Sequence, residues 1–466
     1  MEIQIPFFKS DNNLLNDACR IAIGDLLGNV AAYQDGLLDK PAACLMAGLD
    51  YPTPWTRDAA INVLNAMSLL SPEISKNTLL SVLISEGGKP YIGGQYWDAI
   101  IWLIGAYQYC SYTADPEFFR LAYEAGKNSM RHYEKNEFDH RKGLFRGPAV
   151  YGDGVAAYPD KYARCPSNSS SILDWIKLPE NNVCPHGYGI PMFALSTNCI
   201  YFRAYEILGT MAEILKEPAA EYKEKARQLC RSVNREFWNE SRGNYDYLAE
   251  ECDYNEGMGL AFAILFGISG KEQTGQICRN THITPHGIPC VWPTFPRYGR
   301  LGGYGRHSGT IWPHIQGFWA LAMKKAGREQ DFERELYLMA QKAVRDMHFS
   351  EIYHPCSGMP YGGLQEDLLP IQPDGNALSS PGTACGIPDS GIREWPSMRK
   401  QSWSASAFLS LIFYGIAGLS IENGSPVFHP YLPEGCEEIV LQNINLCGRQ
   451  FRIVLQKGQP PMIQSQ

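Results

Sequence analysis

The 466-residue chain has no run of 18 consecutive apolar residues, so the sequence offers no candidate for a membrane-crossing helix. Met1 to Ser10 lacks the basic start and apolar stretch of a signal peptide, and a cytoplasmic setting is the expectation. No Lys/Arg cluster offsets the net charge of −8, which argues against a nucleic-acid partner. The 14 cysteines are scattered and include no CxxC pair, so they read as reduced, mostly buried thiols. Gly302-Gly303 and Gly362-Gly363 lack a phosphate-loop context and receive no nucleotide role. No cofactor or metal is expected, and the sequence leaves the oligomeric state open.

What is present in excess is aromatic: 10 Trp, 26 Tyr and 19 Phe, with 44 Gly and 31 Pro. Such a mixture indicates long ordered loops carrying rings, although rings can also be plain core filler. Two kinds of helical segment alternate along the chain. Asn12–Asn29, Glu73–Ser85, Glu117–Lys135, Ala219–Phe237, Lys271–Arg279 and Arg328–Met347 are charged and amphipathic. Arg57–Leu70, Asp98–Tyr109, Ile190–Leu208, Gly257–Ile268, Thr310–Lys324 and Trp403–Leu419 are almost uncharged. A helix apolar all round must be buried on every side. Six exposed helices alternating with six buried ones predict an all-α fold, an (α/α)6 toroid of inner and outer rings. An open solenoid is the alternative, disfavoured by the irregular linkers. After Leu419 short strands replace helices, which predicts a barrel over residues 1–420 and a small β-rich appendage over 421–466 packed on it.

Rings and charges outside the helices concentrate in the linkers that precede the buried helices. These carry Tyr51-Pro52-Thr53-Pro54-Trp55-Thr56-Arg57-Asp58, then Gln95-Tyr96-Trp97-Asp98, then Val150-Tyr151-Gly152-Asp153-Gly154. Asp253-Tyr254-Asn255-Glu256, Arg306-His307 with Trp312, and the Glu351 loop follow. In a helical toroid all six emerge on one face, where they would line a pocket. Aromatic faces stack on the C–H faces of a pyranose while Asp, Glu and Arg take its hydroxyls, so a carbohydrate substrate is expected.

Glycoside hydrolysis requires a protonated carboxyl for the leaving group and a carboxylate that serves as nucleophile or activates water. Glu351, at the mouth of a Gly/Pro-rich loop, suits the base. Asp153, between glycines of the longest mid-chain loop, suits the acid, with Tyr151 and Tyr158 as a low-dielectric wall. Each has a plainer reading: Asp153 as an Asx-turn residue, Glu351 as a loop anchor, Asp58 and Asp98 as helix caps. Asp174, Glu366 and Glu394 lie in the same loops and remain rivals. Trp55, Arg57, Asp58, Trp97, Asp98, Tyr151, Asp174, Glu256, Arg306, His307, Trp312 and Trp403 are the candidate substrate contacts. Trp292 and Trp395 are further stacking candidates.

From about Trp55 to Leu419 the chain resembles six-hairpin glycosidases of the mannosylglycerate-hydrolase-like and processing α-glucosidase group (glycoside hydrolase family 63). It is similar also to the glucosidase domain of glycogen debranching enzymes. Trp55-Thr56-Arg57-Asp58, Tyr96-Trp97-Asp98-Ala99, Ser308-Gly309-Thr310-Ile311-Trp312-Pro313, and Ser350-Glu351-Ile352-Tyr353 with Gln401-Ser402-Trp403-Ser404 carry the resemblance. It implies that Glu351 is the general base and that an aspartate before the third buried helix, Asp153, is the acid. The Trp that shortly precedes the acid in that group is absent here, which keeps Asp174, beside Trp175, in view. The resemblance further implies an inverting α-glycosidase, and the long loops over one end of the barrel suggest a closed pocket for a terminal sugar, so an exo-acting enzyme of glucosidase or mannosidase type is expected. Sugar 2-epimerisation through His307, His314 or His354 on the same barrel, and non-catalytic sugar binding, are the alternatives.

Overall fold

Pro116–Glu137 illustrates how the exposed helices form. Asp115 caps its start, accepting the Phe118 N–H at 3.0 Å, and Pro116 occupies the first turn. Phe118, Ala122, Tyr123, Met130 and Tyr133 share the buried face. The computed structural model describes residues 5–163, 170–177, 181, 187, 189–366 and 391–465. Its twelve principal helices begin with α1 (Asn13–Gly28), α2 (Thr56–Asn62, carried on by a π turn to Met67 and by Ser68–Leu70), α3 (Pro72–Leu80), α4 (Ile101–Thr113), α5 (Pro116–Glu137) and α6 (Leu195–Leu215). They continue with α7 (Ala220–Phe237), α8 (Gly257–Leu265), α9 (Lys271–Asn280), α10 (Pro313–Lys325), α11 (Glu329–Asp346) and α12 (Ser402–Ser410, extended by a π turn to Ile416).

The even-numbered helices are the apolar ones. Each packs on the next along the chain, α2 on α4 through to α10 on α12, and α12 returns to α2. Gly105 of α4 makes the first contact close: a Cβ there would stand 2.6 Å from the Ala60 carbonyl oxygen. The amphipathic helices cover this set, α5 between α4 and α6, α7 on α6, α11 on α10, and α1 on both α11 and α12.

Several helix starts differ from the sequence expectation. Residues 190–194 are extended, with Ala194 N–H bonded to the Gly147 carbonyl, and α6 starts only at Leu195, beyond Pro191. The end of the expected Glu73–Ser85 helix is instead a strand, Leu83–Glu86, paired with Lys89–Ile92. At the C-terminal end Glu438–Leu446, Arg449–Gln456 and Met462–Ser465 form an antiparallel sheet, and Phe7–Ser10 pairs with its edge, Phe7 opposite Gln442. The sheet thus draws on both ends of the chain. Among the described residues no helix is long and apolar enough to cross a membrane.

Candidate active site

The linkers before five of the six apolar helices meet in one cavity of about 290 Å³. The first supplies Tyr51 and Trp55, joined by Arg57 and Asp58 of the opening turn of α2; the second Gln95; the third Tyr151, Asp153, Gly154, Ser170 and Ser171. Arg306, His307 and Trp312 come from the fifth, and Glu351, Gln365 and Gln401 from the sixth, joined by Trp403 of the opening turn of α12. Among the described residues the linker before α8 contributes nothing to the cavity wall.

Glu351 and Asp153 enter from different linkers, each held by its own arginine. Glu351 Oε2 accepts from Arg306 Nη2 at 2.7 Å, and its Oε1 accepts from the Tyr51 hydroxyl at 3.1 Å. Arg306 is fixed in turn by the Gly362 carbonyl at 3.1 Å, and its guanidinium lies 5.5 Å from the Trp312 ring centroid. Asp153 Oδ2 accepts from Arg57 Nη2 at 3.1 Å, and its Oδ1 lies 3.7 Å from His307 Nε2. Both glycines beside Asp153 are crowded. A Cβ on Gly152 would stand 2.6 Å from the Tyr158 hydroxyl, and one on Gly154 would stand 2.9 Å from Gln365 Oε1. The glycines therefore let side chains close over the loop, and Tyr158 lies beneath it, its hydroxyl bonded to the Gly152 carbonyl.

Arg57 is shared among carboxylates. Its Nε stands 3.3 Å from Asp98 Oδ2, while its Nη1 reaches Gln95 Oε1 and the Val150 carbonyl, both at 3.3 Å. One guanidinium cannot neutralise the whole group. Burial pushes the Asp58 carboxyl up to about 7, with Glu351 and Asp153 adding repulsion that Arg57 only partly offsets. Asp98 is likewise raised to about 7, chiefly by burial. Asp153 moves the other way: burial raises it, but Arg57, His307 and Arg306 outweigh that and hold it below the ordinary range. Its side chain is 44% exposed, and that surface faces the cavity. Both Asp58 carboxylate oxygens are buried without a hydrogen-bond partner while the residue lines the cavity.

The histidines carry no proton to spare. Burial lowers His307 to about 3, and His314 is also driven far below the ordinary range. His307 stacks on Trp312 at 4.8 Å and His314 on Trp403 at 4.0 Å, so each is packed against an indole beside the cavity. His354 lies outside the cavity wall, its Nδ1 accepting from the Cys356 and Ser357 N–H groups.

Several expected contacts stand away from the cavity. Trp97 is fully buried under the third linker, its Cβ 2.7 Å from where a Gly147 Cβ would sit. Glu256 is buried at the start of α8, where its Oε2 accepts the Ser196 N–H at 3.0 Å and burial raises it to about 8. Asp174 lies on a 3-10 turn paired with Lys177, off the cavity wall. Asp98 reaches the cavity only through Arg57. Among the rivals, Glu366 is locked by Arg297 at 2.7 Å and by the Tyr298 hydroxyl, and Glu394 sits on an edge strand opposite Leu364. Trp292 stacks on His282 at 4.1 Å and Trp395 is 6.0 Å from the Arg306 guanidinium, neither on the wall.

Tyr51, Gln95, Ser170, Ser171, Gln365 and Gln401 line the cavity without having been singled out in the sequence. Tyr51, Gln95 and Gln401 stand in the aromatic linkers, a signal that could have found them. Gln365 carries no such signal. Among the described residues no three His, Cys, Asp or Glu side chains cluster as a metal site would require.

A helical architecture and a carboxylate-lined cavity thus coincide. The sequence profile of the mannosylglycerate hydrolase MGH1-like glycoside hydrolase domain matches residues 101–367, more than half of the chain. The chain belongs to that family. The GH63 mannosylglycerate hydrolase from Thermus thermophilus, solved with Tris, is similar at 16% identity and TM-score 0.55, over 85% of this chain and all of that one. A protein described as a sialidase superposes with TM-score 0.68 at 13% identity over 99% of this chain. A GH78 rhamnosidase from a Bacillus species superposes with TM-score 0.63, also at 13% identity and over 99% of this chain. The chain spans about two fifths of those last two proteins, 40% and 41% of their lengths. At these identities the likeness is one of fold. No curated protein sequence matches.

Proposed function

We propose that the protein is an inverting, exo-acting α-glycosidase, of glucosidase or mannosidase type, that removes a terminal sugar from an oligosaccharide or a glycosylated small molecule. One observation carries the reading: Glu351 and Asp153 project into the same cavity from separate linkers, each on its own arginine. Glu351 takes a proton from water as the water oxygen attacks the anomeric carbon. The glycosidic C–O bond breaks and Asp153 gives its proton to the leaving oxygen, the single displacement of inverting enzymes. Arg306 and Tyr51 orient Glu351. The orphaned oxygens of Asp58 accept sugar hydroxyls, and Trp55, Trp312 and Trp403 supply ring faces.

Asp153 must gain a proton before it can act. A bound sugar removes the remaining water from its half-open side chain, and that desolvation raises its pKa toward those of Asp58 and Asp98. The cavity position of Asp153 favours it over Asp174, which is engaged by Lys177. The neutral, indole-stacked histidines weigh against epimerisation, which needs a protonated partner.

The scaffold belongs to the same proposal. A closed (α/α)6 toroid with a β-rich C-terminal appendage is supported by the succession of contacts that brings α12 back to α2. A cytoplasmic location is supported by the free thiols of the described cysteines. The test is the anomeric configuration of the first-formed product, followed by NMR on α-linked glucosyl and mannosyl disaccharides, for wild type and Glu351→Gln. Inversion by wild type and loss of hydrolysis by at least a hundredfold in Glu351→Gln are expected. Retention, or an unimpaired variant, overturns the reading.

A further inference from the structure

A second cavity, of about 520 Å³, adjoins the first. The two share a wall made of Trp55, Arg57, Gln95 and Asp153. Asp153 therefore faces both spaces, with Glu351 on the near side only. The group that protonates a glycosidic oxygen stands between the sugar being released and whatever that sugar was attached to. We propose that this second cavity is the leaving-group site and that it selects an uncharged sugar over an anionic aglycone. The inference rests on Asp153 being the acid.

Charge and shape of the wall carry the selectivity. Beside Asp153 it presents Asp98 and Asp35, and among the described residues its one cation is Arg57, already engaged by Asp98 and Asp153. Asp35 is exposed, and its Oδ1 accepts the Gly36 N–H at 2.7 Å while the Tyr33 hydroxyl points to its Oδ2 at 3.4 Å. A carboxylate such as that of glycerate would meet the Asp35 carboxylate and, among the described residues, no unengaged cation to receive it. A neutral pyranose meets the opposite conditions. Trp55, 46% exposed at the boundary, and Tyr33 offer ring faces, Ile84 adds apolar surface, and Asp35 accepts hydroxyls.

The test uses substrates matched in the sugar removed and different in the group that leaves. These are α-D-glucosyl and α-D-mannosyl fluoride, the α-1,2-linked glucose and mannose disaccharides, and 2-O-α-glucosyl- and 2-O-α-mannosylglycerate. Fluoride needs neither a protonating acid nor an aglycone site, so its hydrolysis reports the first cavity alone. Wild type is expected to prefer the disaccharide to the glycerate glycoside of the same sugar by at least tenfold in kcat/KM. Tyr33→Ala is expected to lower the disaccharide-to-fluoride ratio of kcat/KM by about tenfold. Asp35→Lys is expected to narrow the disaccharide-to-glycerate gap at least threefold. A glycerate glycoside cleaved as well as the disaccharide overturns the proposal. So does a fall in fluoride and disaccharide rates together in Tyr33→Ala, which marks a structural role. Absence of hydrolysis of both fluorides by wild type instead defeats the glycosidase assignment on which the proposal rests.

Discussion

Replacing Asp58 by Asn should stabilise the protein more the higher the pH, while removing its activity. The Asp58 carboxyl has both oxygens buried without partners and its pKa raised from 3.8 to about 7. Below the unfolded-state value it is neutral in both states and costs nothing. As pH rises past that value the unfolded chain ionises and the folded one does not, so stability falls. The loss is complete once pH exceeds the folded value of about 7. A difference of about 3 pH units at 1.36 kcal/mol each amounts to about 4 kcal/mol. Asn removes the titration and keeps the shape. Entropies of about 2.1 cal/mol/K per residue make 1 kcal/mol worth about 1 °C for a chain of this length. The gain in Tm of Asp58→Asn over wild type should therefore grow by about 4 °C between pH 4 and pH 8, read by calorimetry. Activity on any α-glycoside should fall with it, because the amide nitrogen donates where the carboxylate accepted. A Tm difference that stays flat with pH refutes the argument.

Three further outcomes follow from the same geometry. The alkaline limb of kcat should lie at higher pH than that of kcat/KM, because the complex desolvates Asp153 while the free enzyme leaves it paired with Arg57; coincident limbs in a pH–rate series would show that it gains no proton affinity on binding. Tyr51→Phe should lower kcat/KM roughly tenfold, the worth of one hydrogen bond to a charged group, since only the Glu351 Oε1 contact at 3.1 Å is lost. Gly105→Ala should destabilise the fold by about 1–3 kcal/mol in urea denaturation, because its Cβ would come 2.6 Å from the Ala60 carbonyl oxygen where α2 and α4 meet.

The alternation of charged and uncharged helices was legible because burial on every side leaves a compositional mark. Ile101-Trp102-Leu103-Ile104 has no solvent face in the sequence and none in the structure. Helix starts were less legible: Ile190 is apolar enough to begin α6, but the extended stretch through Ala194 is fixed by its bond to Gly147, more than 40 residues away. Linker composition brought Trp55, Arg57, Asp58, Tyr151, Arg306, His307, Trp312 and Trp403 to the cavity together with Asp153 and Glu351. It could not separate Trp97 and Glu256 from these, since depth within a linker depends on backbone path. Gln365 reaches the wall through the pairing of Leu364–Glu366 with Ile392–Glu394, a contact between distant segments that local pattern does not encode.

The pairing of Phe7–Ser10 with Glu438–Leu446 sets an order of events during synthesis. Phe7 meets Gln442, and α1 rests on α11 and α12, so α1 has no complete seat until α12 has emerged. At about 5–20 residues per second a ribosome needs about 20–90 s to cover that distance. Through that interval Leu15, Ala18, Ala22 and Leu26 of α1, all buried in the finished protein, have no finished surface to cover them. Until α12 has been made, those four side chains form an uncovered apolar stripe along α1.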